Sequence, residues 1–76
     1  MQILDVLRSL PVKIFEGHGA LVSFADIIHA CSLLGQNNHE LIKHKLIELE
    51  DQGILKVIYM EQSGFEDLVV GIRLGL

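Results

Sequence analysis

Apolar residues at Ile3, Leu7, Leu10 and Ile14 recur at three- and four-residue spacing, which gathers them into one stripe along a helix. The pattern predicts a first helix from Gln2 to Phe15 with that stripe against the core. Pro11 interrupts it: a proline has no N–H to bond to the Leu7 carbonyl, so the helix either kinks there or ends near Ser9 and restarts. Glu16-Gly17-His18-Gly19 breaks the pattern and predicts a turn, after which Ala20-Leu21-Val22 has room for a short extended segment. Ser23 with Asp26 three residues later has the spacing of a helix start: the hydroxyl accepts from the first free amides and the carboxylate sits near the positive end of the dipole. A second helix therefore begins at Phe24, buries Phe24, Ile27, Ile28, Cys31 and Leu34, and stops at Gly35. Asn37 with Glu40 repeats the capping signature, and a third helix follows with Leu41, Ile42, Leu46 and Leu49 inward, ending at Gly53.

Beyond Gly53 the period changes from helical to extended. Ile54 to Met60 and Leu68 to Leu74 are rich in β-branched residues, and the polar stretch between them predicts a hairpin. The expected fold is α+β: three helices and a C-terminal two-stranded hairpin, with a short extra strand available near residues 20–22, in one domain spanning residues 1–76.

Composition narrows this picture. Of 76 residues 50% are hydrophobic but only 5% aromatic, so the core must be assembled from Leu, Ile and Val rather than from a few large anchors. No apolar run approaches the roughly 20 residues that cross a bilayer, and no charged segment precedes an apolar one as in an export signal, so a cytoplasmic location is expected. Cys31 is the only cysteine, which excludes an intramolecular disulfide and a cysteine-based zinc site and marks it as a small core residue.

The order helix, helix, short turn, helix, hairpin resembles the winged helix-turn-helix superfamily. The closest local likeness is Leu46-Ile47-Glu48-Leu49-Glu50-Asp51-Gln52-Gly53-Ile54-Leu55, similar to the segment that closes the third helix and starts the wing. The turn Leu34-Gly35-Gln36-Asn37-Asn38 departs from the usual pattern by about one extra residue. The resemblance implies a DNA-binding protein engaged in transcription regulation, a homodimer in which two copies of the third helix enter successive major-groove half-sites. The residues then facing double-stranded DNA are Asn37, Asn38, His39, Lys43 and His44.

Charge opposes that implication. The net charge is −4, and Glu61, Glu66 and Asp67 crowd the wing where DNA-binding relatives offer cations. The helical period also puts Glu40, Ile47 and Asp51 on the outward side with Lys43 and His44. The rival reading is a protein-protein interaction module that uses the acidic wing and exposed apolar positions, since Val6, Val12, Phe15, Ile47 and Phe65 do not all fit a core this small. A basic strip through Lys43, Lys45, Lys56 and Arg73 would favour DNA, and scattered cations among Glu40, Glu48 and Glu50 would favour protein. The apolar C-terminal segment either docks fully or joins a second chain, with helix one as the other half of a homodimer contact. His18, His29, His39 and His44 lack the i, i+4 spacing with a nearby carboxylate that a helical zinc site uses, so no metal and no cofactor is expected. Nor is an enzyme expected: Ser9, Ser23, Ser32, Ser63 and Cys31 sit in no nucleophile motif.

Overall fold

Pro11 ends the first helix outright. In the computed structural model, which describes residues 2–65 and 68–75, α1 spans Ile3–Ser9 and does not restart. The residue before a proline is pushed out of the helical region, and Leu10 is accordingly extended at φ −89, ψ 147. Its N–H still bonds to the Leu7 carbonyl, and the Ser9 hydroxyl donates to the Val6 carbonyl at 2.7 Å, closing the last turn. The expectation of a helical stripe reaching Ile14 is thus corrected: Lys13–Phe15 form a strand, β1, and Ile14 is 81% exposed.

Three helices and a four-stranded antiparallel sheet follow in the order α1, β1, β2 (Gly19–Ser23), α2 (Phe24–Leu33), α3 (His39–Asp51), β3 (Leu55–Tyr59) and β4 (Val69–Leu74). The sheet order is β1-β2-β4-β3. The expected extra strand is present within β2, but the C-terminal hairpin is not a simple two-stranded wing. β4 pairs with β3 on one side and with β2 on the other, through Val22↔Ile72 and Ser23↔Gly71. The C-terminal strand therefore docks in its own sheet.

Helix ends account for much of the local order. The Ser23 side chain makes no capping hydrogen bond, a correction to the expected role; it is a buried residue of β2, paired in register with Gly71. α2 stops where Gln36 N–H bonds to the Cys31 carbonyl at 2.9 Å and Gly35 N–H to that of Ser32 at 3.0 Å. The cap of α3 is Asn38, one residue later than expected: its Oδ1 accepts from Leu41 N–H at 3.1 Å, while Asn37 Oδ1 accepts from the Ser32 hydroxyl at 2.6 Å and braces the turn. α3 ends in the same way as α2, with Ile54 N–H on the Leu49 carbonyl at 3.0 Å and Gly53 at φ 77, the left-handed conformation expected of it.

One core joins these elements. Val6 and Leu7 of α1, Val22 of β2, Ile27 and Cys31 of α2, Ile42 and Leu46 of α3, Leu55 and Val57 of β3, and Ile72 of β4 form a buried cluster. Val22, Ile72 and Val57 lie side by side across three strands, so one row of the sheet meets the helices. Of the apolar surplus, Val6 belongs to this core, Phe15 and Ile47 are half-buried, and Val12 and Phe65 are exposed.

Both faces of the sheet are used. Leu21 is buried outside that cluster, and a Cβ at Gly71 would collide with Leu21 and with the Val22 carbonyl, so the strands approach closely there because position 71 carries no side chain. Arg73 ties the β1–β2 hairpin to β4, donating from Nη2 to the His18 carbonyl at 2.6 Å and from Nε to that of Ala20 at 3.4 Å. Lys13 Nζ lies 2.8 Å from a buried Asp26 oxygen, an ion pair that joins β1 to the first turn of α2. The two sheet edges differ. On β3, Glu50 Oε2 accepts the Val57 N–H at 2.7 Å, whereas among the described residues nothing pairs with the outer side of β1.

Candidate interaction face

With 3.6 residues per turn, the burial of Ile42 and Leu46 fixes which residues of α3 look outward. They are Glu40, His44, Glu48 and Asp51, all exposed, with Ile47 half-buried among them. Three carboxylates and one imidazole therefore make up this surface. Lys43 and Lys45 are half-buried and fall on opposite flanks of the helix. Phosphates approaching this face would meet more negative than positive charge.

The five residues expected at DNA are brought to the N-terminal half of α3, but with different duties. The Asn37 and Asn38 acceptors are engaged in the turn and the cap, His39 and His44 are exposed, and Lys43 sits at the flank. Nor do the four cations whose alignment would have favoured DNA form one strip. Lys56 and Arg73 face each other across β3 and β4, and strand alternation puts them on the sheet face opposite the core-facing Val57 and Ile72. Glu61 is exposed, whereas Glu66 and Asp67 of the acidic wing lie outside the described residues.

A second feature had no signal in the sequence. Phe15, Phe24, Ile28, His39, Met60 and Val69 line an open apolar groove of about 570 Å³ where β1, α2, α3 and the end of the β3–β4 hairpin meet. No periodicity links residues so far apart in the chain; strand pairing and the α2–α3 turn bring them together. Leu68 is 47% exposed and Phe65 49% exposed in the segment between β3 and β4.

Cys31 is fully inaccessible, and burial pushes its thiol up from the ordinary value of 9.0, so it is protonated and unreactive. Among the described residues no three His, Cys, Asp or Glu side chains converge as a metal-binding group, and no helix is long and apolar enough to cross a membrane. No family model, no curated protein and no solved structure matches the chain.

Proposed function

We propose that this chain is a winged-helix protein-interaction module, which docks a partner through the outward face of α3 and the neighbouring apolar surface. The α2–turn–α3 pair followed by the β3–β4 hairpin supports the winged-helix reading, and the additional β1–β2 hairpin enlarges its sheet. The observation that carries the functional reading is the charge of α3: Glu40, Glu48 and Asp51 surround His44 on the surface that would have to enter a groove lined by phosphates. A half-buried Ile47 inside a polar rim suits a protein contact.

The second reading, a homodimeric DNA-binding regulator, draws on the exposed His39 and His44 with Lys43 beside them. A photo-crosslinking amino acid in place of His44, in cells that make the protein, separates the two. Protein adducts are expected; adducts to nucleic acid would overturn the module reading. A parallel fluorescence-anisotropy titration with duplex DNA at low salt is expected to show no binding. Binding that weakens steeply with salt and is lost in a Lys43→Ala, His44→Ala variant would favour the regulator.

A further inference from the structure

We propose that the concave surface between the β1–β2 turn and β3, on the sheet face away from the core, is a binding site for a small soluble phosphate monoester held by Lys56 and Arg73. It is separate from the outward face of α3 and does not depend on what that face docks.

Strand register brings the two cations together. Lys56 and Arg73 are direct partners across β3 and β4, so their side chains leave the same face of the sheet with Cβ atoms about 5 Å apart. Like charges in that position repel and weaken the sheet unless something negative lies between them. The chain has ten acidic residues available for the purpose. Yet Lys56 and Arg73 have no ion-pair partner among the described residues, whereas Lys13 is matched by Asp26 at 2.8 Å.

Arg73 is also fixed in direction. Its bonds from Nη2 to the His18 carbonyl and from Nε to the Ala20 carbonyl anchor the guanidinium against the β1–β2 hairpin. Among the described residues the Nη1 hydrogens have no acceptor. An ordered planar fork beside an ammonium suits a group with several charged oxygens, since each cation can take a different one. A phosphate monoester, with a charge of about −2 and three terminal oxygens, meets both; a carboxylate brings half the charge.

The pair lines a pocket of about 460 Å³ together with Gly17, His18, Ile58 and Glu61. That volume is of the size that holds a small molecule. Ile58 is half-buried, and strand alternation sets it on the face of Lys56, where it can cover the carbon part of an ester. Glu61, exposed in the lining, opposes an anion and lowers the affinity without cancelling both cations. The net charge of −4 disfavours larger polyanions such as nucleic acid or an anionic membrane, because these meet the whole molecule and a small ester meets only the local field.

Glycerol 3-phosphate titrated into the 15N-labelled full chain at constant ionic strength, with acetate in parallel, provides the test. Saturable amide shifts are expected at Gly17, His18, Lys56 and Arg73, at an affinity at least ~10-fold above that for acetate. Lys56 is exposed, so Lys56→Gln should weaken binding at least ~10-fold with a melting temperature no lower than that of wild type. Glu61→Gln should tighten binding, and Lys45→Gln, which removes a cation from α3, should leave it unchanged. No saturable shift, equal affinity for acetate, or binding indifferent to Lys56→Gln would overturn the proposal. So would equal weakening by Lys45→Gln, which would mark attraction to net charge alone. Vesicles containing phosphatidic acid should leave the protein in the supernatant; Lys56-dependent pelleting would put the phosphate in a lipid headgroup and overturn the soluble ligand.

Discussion

Single residues carry sharply different weights in this fold. At position 71 even one methyl group has nowhere to go, since Leu21 and the Val22 backbone already fill the space. Gly71→Ala is expected to cost on the order of 1–3 kcal/mol or more, measured as a fall in the urea midpoint at constant m-value. The Asn37-Asn38 pair divides its labour, so Asn38→Ala should cost about 1 kcal/mol through loss of the cap. Asn37→Ala, which loses only the exposed brace to Ser32, should cost less in the same assay. Sequence rules recognise an asparagine at a helix start but cannot choose between adjacent ones, because Ser32 makes the choice from the preceding helix. Cys31 was legible as core from its place on the apolar face of α2. Its raised thiol has a stated consequence for pH. The unfolded chain deprotonates first, so the stability this residue contributes is fully present below the ordinary value of 9.0 and is lost as pH rises through the folded-state value. Wild type should therefore lose more stability than Cys31→Val between neutral and strongly alkaline buffer. The native thiol should react with Ellman's reagent only at the rate of unfolding.

At the scale of elements, what could be read and what could not follows the range of the forces involved. α2, α3 and the β3–β4 hairpin are set by local period and by stop residues such as Gly35 and Gly53, and they are present near the expected bounds. Leu34 and Leu41, expected inward, are however 61% and 40% exposed, because Leu34 caps α2 and Leu41 lies off the Ile42–Leu46 face of α3. β1 was missed because Ile14 completes a helical spacing with Leu10. Only the pairing of Ile14 with Ala20 across the hairpin, invisible in a local window, reassigns it. The groove was missed for the same reason, being made entirely by juxtaposition. α3 also does a task that its sequence conceals: through Glu50 it satisfies a backbone N–H of the edge strand β3. Glu50→Ala should cost about 1 kcal/mol and, by freeing that edge, produce concentration-dependent light scattering. Glu50→Gln keeps an acceptor oxygen and should remain clear.

At the scale of the molecule, the two sheet faces and the outward face of α3 differ in charge among the described residues. Glu40, Glu48 and Asp51 lie on the outward face of α3, whereas Lys56 and Arg73 lie on the sheet face away from the core. The formal charge was plain in the sequence, but its placement required the burial of Ile42 and Leu46 to orient the helix. Tracer duplex DNA should consequently show no anisotropy change at low salt. The unequal sheet edges have a further consequence, which concerns stoichiometry. An unpaired strand edge is a template for another chain, and β1 presents one, whereas on the outer side of β3 the Val57 N–H is taken by Glu50. Pairing of β1 with the β1 of a second copy would use up that edge in both molecules, so such an assembly would stop at two.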